Sequence, residues 1–185
     1  MNDIKMIEIA TLANGCFWCT EAIFARIKGV KSVSPGYSGG KVENPSYDQV
    51  CTGTTGHAEA AQIEFDPTVI SFEKLLEVFW HTHDPTTLNR QGNDIGTQYR
   101  SAIFYHNDKQ REIAEKSKRR IEDKGIFRDP IVTEITQFEK FYVAEDYHKK
   151  YYEHHLNDPY CRFVIDPKIQ KLLKQYGNEL KVEYK

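Results

Sequence analysis

A two-layer α/β sandwich is the fold class this sequence predicts, and three observations carry it. Segments whose apolar residues alternate singly are interleaved with segments whose apolar residues recur every three or four positions, in the order strand, helix, strand, long loop, strand, helix, strand. The chain has 185 residues, enough for one domain with a sizeable core and crowded for two. No internal repeat, low-complexity tract or break in composition divides it, so residues 1–185 are read as a single domain.

Residues 4–12 predict the first strand, which runs into "NGCFWC". From Phe17 to Lys28 the spacing is helical, with Asn14 a candidate cap and Gly29 a candidate stop. Residues 30–38 predict a second strand, and "PGYSGGKVENPSY" a Gly/Pro-rich loop. "HAEAAQIEFDP" alternates and predicts a third strand closed by proline. Ser71 is placed to cap a helix in which Phe72, Leu75, Leu76, Phe79 and Trp80 share one apolar face. "HDPTTLNRQGNDIGTQ" is a polar loop of a length unusual outside functional sites. "YRSAIFYH" predicts a strand, residues 108–124 a charged helix and "IVTEITQ" another strand. Helical stretches near 144–156 and 166–176 complete the chain, with a loop holding "NDPYCRF" between them. This order outlines a split βαβ, a ferredoxin-like βαββαβ core with a C-terminal extension. Fold by itself leaves function open.

The charge balance narrows the function classes. Lys and Arg number 25 against 27 Asp and Glu, a net charge of −2, which offers no electrostatic reason to expect nucleic acid or a membrane surface as partner. "MNDIKMIEIATLANG" lacks the apolar run of a signal peptide, and no stretch approaches the roughly 20 apolar residues of a membrane span. A cytoplasmic protein is therefore expected. In that compartment the four cysteines are expected to be catalytic, metal-binding or inert rather than a disulfide framework.

Cys16 falls where a strand hands over to a helix. Free backbone N–H groups and the positive end of the helix dipole lower a thiol pKa there, as a nucleophile requires. The alternative is a small buried hydrophobe, and Gly15 beside it, which permits close approach of another molecule, favours chemistry. Phe17 and Trp18 read either as core or as the wall of an apolar pocket. Strand alternation puts Glu59 on the face of Ala61, Ile63 and Phe65. Buried there, its pKa would rise and it could donate a proton near neutrality; at a half-exposed strand end it would merely reach water. Tyr47 and Tyr99 flank strands beside polar loops, and either alone reads as packing. Asp94 reads as a turn former, His57 as a turn residue and Cys51 as a bystander. Cys16 and Cys19 have the spacing of half a zinc site, with His81 and His83 downstream, but no second Cys-x-x-Cys follows. A thioredoxin-like disulfide exchanger using the same pair is the stronger rival, although it has no need of a buried acid and converging tyrosines.

Taken together, "GCFW", "GYSGG", "NPSY", "GTTGHAE", "HDPTTLNRQGNDIGTQYRSAIF" and "FYVAEDYHKKYY" resemble the A class of peptide methionine sulfoxide reductases, in order, from about residue 7 to about residue 170. The resemblance implies a two-layer α/β fold. It implies that Cys16 attacks the sulfoxide sulfur, that Glu59 protonates the sulfoxide oxygen, and that Tyr47 and Tyr99 donate hydrogen bonds to that oxygen. Phe17 and Trp18 would hold the substrate methyl group, and Asp94 would position the substrate and its backbone amide. The substrate would be methionine-S-sulfoxide, free or in proteins. The Cys16 sulfenic acid would condense with a second thiol, and thioredoxin, or dithiothreitol in vitro, would reduce the disulfide. No metal or organic cofactor is implied, and a monomer is expected. "DPYCRF" resembles the segment in which relatives carry the resolving thiol. That resemblance, with the expected mobility of a loop, favours Cys161 as resolver over Cys19, which lies one turn from Cys16 on a stiffer element.

Overall fold

The computed structural model describes residues 6–184, so the first two positions of the strand expected over 4–12 lie outside the described residues. The elements are β1 (Glu8–Asn14), α1 (Phe17–Phe24), β2 (Val30–Ser38), α2 (Tyr47–Cys51), β3 (Ala58–Phe65), α3 (Phe72–His81) and the two-residue strands β4 (Arg90–Gln91) and β5 (Asp94–Ile95). They continue as β6 (Ser101–Tyr105), α4 (Asp108–Asp123), β7 (Glu134–Gln137), β8 (Phe141–Val143), α5 (Tyr151–His154) and α6 (Asp166–Tyr176). Among the described residues the main sheet has the order β7-β6-β1-β3-β2-β8. Its pairs are antiparallel except β6–β7, which is parallel. β3 is thus inserted between β1 and β2, which run in the same direction.

The main core lies between one sheet face and the helices. Leu12, Ile63, Phe65 and Ile103 from the strands meet Ile23 and Phe24 of α1, Leu75, Phe79 and Trp80 of α3, Ala114 and Ile121 of α4, and Ile169 and Leu172 of α6. The opposite face carries small residues, Ala13, Ala58, Ala60 and Ala102, closed over by Phe104, Phe138 and Phe141. This second layer buries both faces of β3 at its start, so strict alternation holds only towards Phe65, where Glu64 is exposed.

Several local expectations change. Asn14 does not cap α1; it ends β1 and accepts the Thr20 hydroxyl, while Cys16 itself is the cap residue and makes no side-chain cap bond. The helix expected to reach Lys28 stops at Phe24 because the C-terminal tail takes the next backbone groups. Lys28 N–H donates to Glu179 O at 2.8 Å, Lys181 N–H donates to Arg26 O at 2.9 Å, and Ile27 bridges to Leu180. Tyr47 opens a helix rather than flanking a strand: Ser46 accepts from Gln49 N–H while the Gln49 side chain accepts from Ser46 N–H, a reciprocal cap. Tyr99 closes a 3₁₀ turn, Thr97–Tyr99, ahead of β6. The helix expected over 144–156 is broken into a 3₁₀ turn at Asp146–His148 and the short α5, separated by Lys150 at φ +52°. The expected loop around Cys161 is helical, with a π-helical turn, Cys161–Ile165, leading directly into α6.

Candidate active site

Cys16 sits at the mouth of α1, reached from β1 through Gly15 at φ +105°. A side chain at Gly15 is excluded twice over, by that backbone and by Gln91, whose Cγ would lie 2.7 Å from the added carbon. Gln91 belongs to the β4–β5 hairpin, so the polar loop presses against the strand-to-helix junction and brings Asp94 with it. Gln91 is itself clamped to Asp84, donating to its carbonyl at 2.9 Å and accepting its N–H at 3.1 Å.

Glu59 reaches across from β3. Its Oε2 accepts the Phe17 N–H at 3.0 Å, which fixes the carboxyl group one residue from Cys16. It is 1% exposed, so the half-exposed strand end is excluded. Burial pushes its pKa up to about 8; the Phe17 amide opposes this, and the charges of Asp94 and Cys19 add to it. Near neutrality this carboxyl group carries a proton. Burial raises the Tyr47 and Tyr99 hydroxyls as well, with the Glu59 charge the next contribution for each, and Tyr99 also feels Asp94 and Cys16. Both hydroxyls are therefore neutral donors in the electrostatic reach of Glu59.

The thiols correct one expectation. Burial pushes the Cys16 thiol well above its ordinary value, and its neighbours Cys19 and Glu59 push the same way, with the Tyr160 hydroxyl opposing. The start of α1 does not make Cys16 the acidic thiol in this closed arrangement. Cys19 is brought down to about 7, first by its hydrogen bond with Cys16, against burial. The two thiols share a hydrogen bond, which raises the one and lowers the other.

Aromatic rings close the site. Phe17 lies 6.2 Å from Tyr47 in near-parallel stacking and 5.7 Å from Tyr37. Trp18 stacks on Tyr151 at 3.7 Å and takes the Tyr160 ring on its edge at 5.7 Å. Two residues that sequence reasoning did not single out belong here. His148 is fully buried and its Nδ1 accepts the Trp18 indole N–H at 3.0 Å, so its Nε2 carries the hydrogen, and that donor has no partner. Tyr160 donates its hydroxyl to Asp94 Oδ2 at 2.6 Å. His148 lies within "AEDYHKKYY", beside a Glu145 that accepts both Tyr37 O–H and Tyr47 N–H, but no periodicity marks either residue.

Cys161 corrects a second expectation. It is fully buried at the start of the helical run, not in a mobile loop, so mobility is no reason to favour it over Cys19. Burial pushes it up to about 11, and among the charges it feels is that of Cys19. Cys51 is exposed at the end of α2, its sulfur beside the Tyr47 hydroxyl. The four cysteines are free thiols. His81 and His83, weighed as zinc partners of Cys16 and Cys19, are engaged elsewhere, His81 with Glu77 and Tyr176 and His83 with Phe79 O and Ser101. Among the described residues no three His, Cys, Asp or Glu side chains stand together as a metal site, and no helix is long and apolar enough to cross a membrane.

Comparison with known proteins adds the following. Residues 8–181 match the family model described as peptide methionine sulfoxide reductase. The chain is 57% identical over 176 residues to the peptide methionine sulfoxide reductase MsrA of Saccharolobus solfataricus, covering 95% of this chain and 98% of that one. The fold is similar to the reduced form of Mxr1 from Saccharomyces cerevisiae, with a TM-score of 0.77 and 35% identity over 87% of this chain and 92% of that one. It is also similar to Mxr1 in complex with Trx2, with a TM-score of 0.55 and 28% identity over 82% of this chain and 88% of that one.

Proposed function

This chain belongs to the peptide methionine sulfoxide reductases of the A class, and we propose that it reduces methionine-S-sulfoxide, free or in proteins, by a thiol mechanism centred on Cys16 and Glu59. The observation that carries the mechanism is the buried, proton-bearing Glu59 carboxyl group held by the Phe17 amide beside Cys16.

In the proposed first step the Cys16 sulfur attacks the sulfoxide sulfur. The sulfoxide oxygen takes the proton of Glu59 and hydrogen bonds from Tyr47 and Tyr99, which stabilise the charge it develops. The S–O bond then breaks. Oxygen passes to the Cys16 sulfur, the bond between the Cys16 sulfur and the substrate sulfur breaks with its electron pair going to the substrate, methionine leaves, and Cys16 remains as a sulfenic acid, two electrons having moved from Cys16 to the substrate. The raised thiol pKa of Cys16 is met by making the proton available in the same site: the thiol proton goes to Glu59 as Glu59 protonates the oxygen. Phe17 and Trp18 supply an apolar wall for the methyl group, and a wall of one hand would select one sulfoxide epimer. Asp94 takes the substrate amide, and the free Nε2–H of His148 adds a buried donor among Phe17, Trp18 and Tyr47.

A second thiol then attacks the sulfenic sulfur, expelling the oxygen as water and forming a disulfide. We assign this resolving role to Cys161, with Cys19 as the competing thiol. A dithiol reductant returns two electrons, and the complex of the yeast relative with Trx2 supports thioredoxin in that part. The protein would work without metal or organic cofactor, as a cytoplasmic monomer of one catalytic domain. The central strand order β6-β1-β3-β2 supports reading the core as ferredoxin-like.

The test is turnover of N-acetylmethionine-S-sulfoxide with dithiothreitol. Methionine derivative is expected to accumulate with the intact protein and not with Cys16→Ser; equal rates in the two would refute the assignment. With thioredoxin in place of dithiothreitol, Cys161→Ser should complete one turnover and stall. Normal recycling by Cys161→Ser together with a stall in Cys19→Ser would move the resolving role to Cys19.

A further inference from the structure

The proposed catalytic groups are nearly sealed. Cys16 is 6% exposed and Glu59 1% exposed, yet a substrate sulfoxide has to reach both. Tyr160 lies against the thiol, its hydroxyl within hydrogen-bonding reach of Cys16. Its ring meets the edge of Trp18 at 5.7 Å and 83°, beside Tyr151, which stacks on the same indole at 3.7 Å. Its hydroxyl donates to Asp94 at 2.6 Å, a short charge-assisted bond. Tyr160 therefore holds the two residues, Trp18 and Asp94, that the proposed function gives to the substrate side chain and the substrate amide.

The segment that carries Tyr160 joins α6 through an irregular turn. Tyr160 enters a helical run whose first full turn, Cys161–Ile165, is π-helical, one residue looser than the α6 turns that follow. Such turns interrupt the regular hydrogen-bond ladder and mark places where a helix can be remodelled. The run starts on Asp158, whose carboxylate takes the Tyr160 N–H at 2.8 Å and whose carbonyl takes the Arg162 N–H at 3.1 Å. Cys161, the next residue, is fully buried against the core that contains Cys19. A thiol in that seat has to shift before it attacks a sulfenic acid on Cys16.

We propose that Tyr160 is a gate: it occupies the place of the incoming sulfoxide side chain on Trp18 and Asp94, so that substrate entry expels it and the same movement draws Cys161 off its buried seat. This rests on the reading of Trp18 and Asp94 given above. It makes the second thiol available only after a substrate has entered, and it protects Cys16 from oxidants in the resting protein.

The test compares wild type, Tyr160→Phe and Tyr160→Ala in two measurements. Alkylation of Cys16 by iodoacetamide, mapped by mass spectrometry, needs no sulfoxide. It should be about tenfold faster in Tyr160→Ala, because the open state no longer has to be reached against the plug. In a single turnover with N-acetylmethionine-S-sulfoxide, Tyr160→Phe, which keeps the ring and loses the bond to Asp94, should show a half-saturating concentration about tenfold lower with no fall in the rate at saturation. Unchanged alkylation and unchanged half-saturation overturn the gate. A loss of rate at saturation also overturns it, because Tyr160 would then be a catalytic donor. Should Tyr160→Ala fail to fold, the Tyr160→Phe half-saturation decides. No turnover by wild type at all would strike the proposed function instead, and the alkylation rates would still report on the gate.

Discussion

Two glutamates are buried around the first helix, and only one of them is placed to act as an acid. Glu59 comes from β3 and takes the Phe17 N–H with one oxygen at 3.0 Å. Glu21 belongs to α1 itself and takes the Lys150 N–H with both oxygens at 3.0 Å each. Burial raises both, Glu59 to about 8 and Glu21 to about 7. Their surroundings differ. The neighbours of Glu59 are Asp94, Cys19 and the hydroxyls of Tyr47 and Tyr99, groups that bind or move protons. The neighbours of Glu21 are the backbone at Lys150 and the charges of Glu153, Lys150 and Lys149. Burial tunes a carboxyl group, but what it faces decides whether it does chemistry or holds a segment in place. Glu21 ties down the chain that carries His148, Tyr151 and Tyr160, at the left-handed Lys150 where that chain changes direction.

The largest contrast is expected in the chemical step. Glu59→Gln should slow methionine release in a single turnover by about 10² to 10⁴, the usual worth of a positioned acid. Glu21→Gln should stay within about fivefold at saturating substrate by the same measurement. Comparable losses in the two would end the distinction drawn here.

Stability should next separate them from ordinary surface carboxylates. A carboxyl group whose folded pKa lies above its unfolded value holds its proton more tightly in the fold. The associated stability is fully present below the unfolded value of 4.5 and is lost as pH rises through about 8 for Glu59. Glu59→Gln removes that penalty. Urea denaturation should find the variant more stable than wild type at pH 8.5, by on the order of a few kcal/mol, and no such gain at pH 4.5. A gain independent of pH would show that the carboxyl group is not the cause.

The smallest effect tests the latch. Glu21→Ala leaves the part-buried Lys150 N–H without its acceptors and should cost about 1 kcal/mol in denaturant titration. Hydrogen exchange at the Lys150 amide should accelerate more than exchange within β3. Uniform acceleration would make Glu21 a general core residue rather than a tie for this segment.

Legibility in the sequence followed from how local the cause was. The alternation that set Glu59 on the face of Ile63 and Phe65 needs only neighbours two positions apart, but its burial was left open by the pattern, because the layer that covers the start of β3 comes from other segments. The apolar face of α3, the Ser71 cap and the span of α6 are equally local. Tyr47 was legible as a site residue through the family resemblance but not as the start of a helix, because the reciprocal Ser46–Gln49 cap lies inside a Gly/Pro-rich stretch. The end of α1 was misplaced because its cause is the tail some 150 residues away. Cys161 was read as mobile because polar residues surround it in sequence, whereas it is buried in the main core with residues of α1 and α6.

By itself, the sequence determined which residue types stand where chemistry needs them: a thiol after glycine at a strand-to-helix junction, a carboxyl group on an apolar strand face, and the motifs that mark the family. Those depend on covalent order and on the two periods of regular structure. Only the tertiary structure decided that Cys16 and Cys19 share a hydrogen bond in a desolvated site, that His148 carries a buried free donor, and that Tyr160 lies on Asp94 and Trp18. These depend on desolvation and on contacts between segments far apart in the chain. Neither exists until the sheet, α1 and the C-terminal segment have closed on one another.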